Sequence, residues 1–127
     1  MKAVVIIIRI LTGLLFLFSS VVVLFGLMPQ PEMQGDVKLF NEGMAASGYL
    51  MPLLKVTELL CAIALLTNRL VPLATVVLFP ITLNILLFHA FLAPEGLPIA
   101  LFLFLSNLFL AYTYRKNLLP MVNKVQE

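Results

Sequence analysis

Four long apolar runs, separated by short polar breaks, constrain this chain more than any motif in it. They cover residues 3–28, 50–67, 70–92 and 97–114. A helix needs roughly 17–25 residues to cross a bilayer, and each run meets that length. In lipid, backbone N–H and C=O groups find no water, so such runs are stable only as helices or as strands of a closed barrel. Continuous apolar runs without period-two alternation select helices. The chain is 62% hydrophobic and 11% charged, with a mean hydropathy of +1.11. Soluble domains carry about a quarter charged residues. The expectation is one integral membrane domain over residues 1–127, all-α, a four-helix transmembrane bundle with the lipid bilayer as its solvent.

The first run follows Met1-Lys2, as a secretory signal would. It is much longer than the roughly 7–15 residues of a signal core, Arg9 interrupts it, and no small-x-small cleavage site follows. It reads as a retained transmembrane helix. Pro52, Pro72 and Pro98 fall in the first turns of the other three runs, where a missing N–H does no harm. Pro94 follows the third run. The breaks at Asn68-Arg69 and at residues 93–96 are tight, so the helices alternate up-down-up-down.

Lys2, Arg69, Arg115, Lys116 and Lys124 share one side of this arrangement. Lys38 sits on the other, beside Glu32, Asp36, Glu42 and Glu95. The positive-inside rule then predicts a bacterial cytoplasmic (inner) membrane protein with both termini cytoplasmic and residues 29–49 outside. That outer loop opens with Pro29-Gln30-Pro31. Two forms stay open for the rest: an ordered loop, or a short amphipathic helix N-capped by Asp36 and ending near Gly48. In the helix, Val37, Phe40 and Met44 share an apolar face, while Lys38 and Glu42 face water.

Charge inside such a bundle is costly, about 2.5–3.5 kcal/mol per group on insertion scales, and marks working sites. Lys55 and Glu58 are three residues apart on one helix face. The topology brings Asn84 and His89 of the third run, and Ser19 and Ser20 of the first, to the same outer layer. Lys55, Glu58, Asn84 and His89 are therefore the candidate ligand-binding residues. The cleft expected around them lies between the second and third runs, roofed by the 29–49 loop and floored by Phe16, Ala62 and Pro80. Arg9 and Asn107 form a second polar level nearer the other end. Each residue also has a structural reading. Lys55 and Glu58 can be an interfacial ion pair. His89 can bond a loop carbonyl, and Arg9 can anchor at the membrane edge. Asn84 and Asn107 can join helices, and Cys61 can pack as a small hydrophobe. Pro80, inside the third run, leaves the Val76 carbonyl without its helical donor, which favours a bend.

The order of these residues resembles a known pattern. Arg9-x-x-x-Gly13-x-x-Phe16 opens the first run, and Leu54-Lys55-Val56-x-Glu58-Leu59 opens the second. Phe79-Pro80-Ile81-x-x-Asn84-Ile85-x-x-Phe88-His89-x-Phe91-Leu92-x-Pro94 closes the third. Across nearly the whole chain this resembles the DoxX family of small four-helix bacterial membrane proteins, in its DoxX-like branch. The chain departs from that pattern at Ser19-Ser20 and at Cys61-Ala62, where glycines are common, and in lacking a lysine around Val23-Leu24-Phe25. The resemblance implies association with membrane redox chemistry. The family takes its name from a subunit linked to thiosulfate oxidation with quinone as acceptor, and other members resemble parts of thiol-stress oxidoreductase systems.

Three functions remain open. A hydrophobic small molecule of the quinone type would place its head in the outer polar layer and its tail among the apolar helices, with Lys55 and His89 as hydrogen-bond donors to its carbonyl and Glu58 able to accept a proton during reduction. A single histidine and a single cysteine leave no bis-histidine haem and no Cys-based redox centre within one chain. Electrons would then come from a membrane oxidoreductase partner. The second function is a structural or assembly subunit, including a homo-oligomer. The third, a small proton-coupled transporter, fits less well because Lys55 neutralises Glu58. No basic run addresses nucleic acid, and no cluster of ligands addresses a metal.

Overall fold

The computed structural model describes residues 2–27 and 34–122. Among them run six α-helices: α1 (Lys2–Phe25), α2 (Gly35–Ala46), α3 (Leu50–Thr67), α4 (Val71–Phe91), α5 (Leu97–Thr113) and α6 (Arg115–Val122), with a 3-10 turn at Pro94–Gly96. The expected helix end at Met28, the Pro29-Gln30-Pro31 opening and Lys124 lie outside the described residues.

Helix ends follow backbone chemistry rather than hydropathy. Gly26 takes φ +61°, and the Leu27 N–H donates to the Val22 carbonyl at 3.1 Å. This is a glycine-terminated helix end, so α1 stops at Phe25 although apolar residues continue. At the end of α3, Asn68 takes φ 58°, and the Arg69 N–H bonds the Ala64 carbonyl at 3.0 Å. Asparagine tolerates that left-handed geometry, and the chain reverses within three residues into α4. Helix α6, beyond the last apolar run, was not anticipated from hydropathy because it is only eight residues long and opens with Arg115-Lys116-Asn117.

The four long helices form a ring. Helix α1 packs along α3 and α4 along α5, while α3–α4 and α1–α5 contacts close it. Arg9 meets Leu65 near one end and Ser19 meets Lys55 near the other, so α1 and α3 are antiparallel. Arg9, Thr12, Gly13, Phe16 and Ser20 form the buried face of α1. A methyl group on Gly13 would lie 2.9 Å from Leu66 Cγ and 3.3 Å from Leu65 Cβ. The two backbones thus approach where only glycine fits. The buried face of α5 is Ala100, Leu103, Ser106, Asn107 and Leu110. Ala111 and Tyr114, to one side of it, are half-buried. A helix this apolar has no polar face toward solvent, so only the buried Ser106 and Asn107 distinguish its inward side.

The distribution of polarity is the reverse of a soluble protein's. Large hydrophobics such as Ile7, Phe18, Leu60, Phe91 and Leu105 cover the outside, while Arg9, Ser20, Glu58, Thr82 and Asn107 are buried. Such a perimeter would aggregate in water and is matched to acyl chains. Together with four helices long and apolar enough to span, it makes this an integral, multi-pass membrane protein in a bilayer environment.

Candidate functional site

Lys55 and Glu58 lie in the first half of α3, one turn apart. Lys55 Nζ stands 3.5 Å from Glu58 Oε2, with 14% of the lysine side chain and 2% of the glutamate side chain exposed. Lys55 also donates to Ser19 Oγ of α1 at 2.9 Å. An ammonium has three N–H donors, so one remains free of these partners. Ser20, next in sequence, instead returns its hydroxyl to the Phe16 carbonyl at 2.6 Å.

Above this pair lies a cavity of about 130 Å³, whose wall includes Lys55, Asn84, His89, Phe88, Phe40, Asn41 and Met44. Lys55, Asn84 and His89 share it although they come from two helices. Glu58 does not reach its wall; it sits below, fully buried against Lys55. The expected floor is also different. Phe16 and Ala62 are 2% and 0% exposed within the core, where the helices leave no gap, and Pro80 lies on the perimeter. Leu54, Met51 and Ile85 line the cavity instead.

Helix α2 forms the outer part of the wall. Gln34, not Asp36, precedes its first turn, without a side-chain cap. Phe40 and Met44 face the cavity, with Asn41 beside them. Asn41 Nδ2 bonds the Val37 carbonyl at 2.9 Å, which leaves the amide oxygen free of that bond. The Phe40 ring lies 5.1 Å from that of Phe88, pinning α2 to α4. Lys38 and Glu42 pair on the exposed side at 3.8 Å.

His89 is held from three directions. Its Nδ1 lies 3.1 Å from the Ala93 carbonyl. Phe88 meets its ring edge-on at 5.2 Å. Gly96 packs so closely that any side chain there would run into the imidazole. A carbonyl accepts only, so Nδ1 carries the proton, and in the neutral ring Nε2 is an acceptor. Nε2 is therefore the ring nitrogen left for a ligand, and the bond to Ala93 is the loop-carbonyl contact foreseen for His89. Asn84 is exposed at the cavity wall, and its amide has no hydrogen bond among the described residues.

The second polar level divides in two. Arg9 is 8% exposed, not an edge anchor, and its Nη1 donates to the Leu65 carbonyl of α3. Asn107 belongs to α4–α5. Its Nδ2 donates to the Thr75 carbonyl at 3.1 Å, and its Oδ1 accepts from Thr82 Oγ1 at 3.1 Å. These contacts bracket Pro80, through which α4 runs unbroken. Cys61 is buried and lines an apolar groove between α3 and α4. A larger cavity, about 430 Å³, opens at the opposite end, beside Lys2 and Arg9. Among the described residues no group of three metal-ligating side chains converges.

Sequence reasoning missed Asn41 and Met51. Neither carried a charge or sat in an expected cleft, and only the seating of α2 on α3 brings them in. Ser19 was legible as a polar residue at the right depth, though not as the partner of Lys55.

Four antiparallel membrane helices, an ion pair toward one end and a small helix seated over it define a class of compact multi-pass membrane protein. The DoxX family model matches residues 4–90, which is more than half of the chain and takes in α1 through most of α4. The chain belongs to the DoxX family. Comparison with curated proteins and with solved structures finds no match.

Proposed function

We propose that the outer cavity binds the ring headgroup of a hydrophobic small molecule of the quinone type. In this reading the protein is an accessory of a membrane redox or thiol-stress system. The observation that carries the reading is the convergence of Lys55, Asn84 and His89 on one wall whose remainder is largely apolar. Whole-ligand pockets measure roughly 300–1,000 Å³, whereas an apolar cavity of about 150 Å³ takes one benzene ring. At about 130 Å³, this cavity suits a single ring, with the tail lying along the apolar perimeter.

The roles follow from donors and acceptors. Lys55 and the Asn84 amide donate to a ring carbonyl. His89, whose Nδ1 is engaged by Ala93, offers Nε2 to a ring oxygen. Glu58 is a positioning residue that holds the Lys55 ammonium beneath the cavity. A membrane oxidoreductase partner supplies or removes the electrons. The full burial of Glu58 against Lys55 also favours a second reading, a purely structural subunit in which the pair stabilises the bundle.

Asn84→Leu tests the choice, because it disturbs no bond within the protein. In detergent, affinity for a short-tailed benzoquinone should fall about five- to tenfold, the worth of one hydrogen bond, with the melting temperature unchanged. No binding by the parent protein, or binding insensitive to Asn84→Leu, His89→Phe and Lys55→Met alike, leaves the structural reading. The proposed setting is the bacterial inner membrane with cytoplasmic termini. In a Cys61→Ala background, Gln34→Cys and Asn117→Cys should label from opposite faces.

A further inference from the structure

The cavity of about 430 Å³ at the opposite end plays no part in the proposed ring site. It lies where α1 begins, α5 ends and the α3–α4 turn passes, and Lys2, Arg9, Asn68 and Tyr114 contribute its polar wall. Arg9 is more than nine-tenths buried, yet only one of its five N–H donors is used, by the Leu65 carbonyl. Among the described residues it has no carboxylate partner, and ion pairs form only at Lys55–Glu58 and Lys38–Glu42. The described acidic residues, Asp36, Glu42, Glu58 and Glu95, all lie toward the other end of the bundle, while Arg69, Arg115 and Lys116 add to the positive charge at this one. The side chains of Asn68 and Tyr114 make no hydrogen bond among the described residues either. A buried guanidinium with free donors, in a cavity surrounded by cations, is short of one anion.

We propose that this cavity binds a phosphate-bearing anionic headgroup, with the Arg9 guanidinium and the Lys2 ammonium as its principal ligands. Arginine's planar fork matches two phosphate oxygens, and lysine adds a point charge. Lys2 and Arg9 are separated by about 10 Å along the helix axis, so the site descends from the membrane surface into the bundle. Val5 and Ile6 complete the α1 side of the wall, and Ile6 is 47% exposed on the lipid-facing perimeter. An acyl chain attached to the phosphate would continue along that surface. The two sources of such a group are an acidic phospholipid and a soluble phosphate ester.

The test compares retention of phosphatidylglycerol and phosphatidylcholine by native mass spectrometry of the detergent-purified protein. Parallel titrations use glycerol 3-phosphate and inorganic phosphate. Preferential retention of phosphatidylglycerol, cut about fivefold by Lys2→Gln and unaffected by Lys116→Gln, is the expected result; that factor is the worth of one basic residue at an acidic surface. Arg9→Gln should act in the same direction. It also removes the tie to Leu65, so Lys2→Gln, exposed and unbonded, carries the test if Arg9→Gln fails to fold. Saturable binding of the soluble phosphates at the same residues upholds the site and assigns it to a free ester. Equal retention of both lipids with no soluble phosphate bound overturns the proposal. So does an equal loss from Lys2→Gln and Lys116→Gln, which would mean diffuse surface charge.

Discussion

Replacing Glu58 by leucine should destabilise the bundle, and replacing Lys55 by methionine as well should restore it. At 3.5 Å and an effective dielectric of about 20, the two charges attract by roughly 5 kcal/mol. Most of that is offset by taking both groups out of water, so the pair as a whole contributes little. Breaking it is different. Glu58→Leu leaves an ammonium with Ser19 as its only partner, and stranding a fully buried charge costs about 3–5 kcal/mol. Lys55 keeps 14% of its side chain exposed and can turn toward the cavity, so about 2–3 kcal/mol is expected. Lys55→Met alone strands the more deeply buried Glu58 and should cost at least as much. The double variant should lie within about 1 kcal/mol of the parent, which makes the coupling energy roughly 4–6 kcal/mol. Glu58→Gln, which keeps shape and can still accept from Lys55, should fall between parent and leucine variant. Reversible unfolding in mixed micelles measures all four proteins. A double variant that loses the sum of the two single losses, or a Glu58→Leu protein as stable as the parent, refutes the reasoning.

Three further outcomes follow from packing and hydrogen bonding. Gly13→Ala should cost about 1–3 kcal/mol by overpacking against Leu65 and Leu66, read as a lower midpoint in the same unfolding assay. Asn107→Ala should cost about 1–2 kcal/mol through its two inter-helix bonds, and a change confined to α4–α5 should appear as faster amide exchange around Thr75. Thr12 Oγ1 is buried without a partner, so Thr12→Val should raise stability by about 1 kcal/mol; a loss would mean that an ordered water satisfies the hydroxyl.

Hydropathy and proline placement made the four spans and their order legible, because length and first-turn prolines are local properties. The end of α1 was not, since Gly26 stops the helix while the apolar run continues. Rotation was harder still. On α1, Arg9, Gly13 and Ser20 mark the inward face by being polar or small among large apolar residues. On α5 only Ser106 and Asn107 do so, and they are adjacent, so they mark the inward face less sharply. The polar residues of the outer layer could be named from depth alone. Which of them share a surface depends on rotation, so Glu58 emerged beneath the cavity rather than on it. That His89 can bond a loop carbonyl was legible; that the carbonyl is Ala93, and so engages Nδ1, was not.

The contacts of Asn107 have a mechanical consequence. Pro80 leaves the continuous helix α4 one hydrogen bond short at its middle. A single side chain from α5 grips α4 on either side of that point, at Thr75 and at Thr82. Asn84 lies two residues past the second grip, and His89 beyond it. The aim of the cavity wall is therefore set from α5, a helix that does not line the cavity. A force or a partner that shifts α5 along its axis would swing Asn84 and His89 relative to Lys55, which is fixed independently by α1.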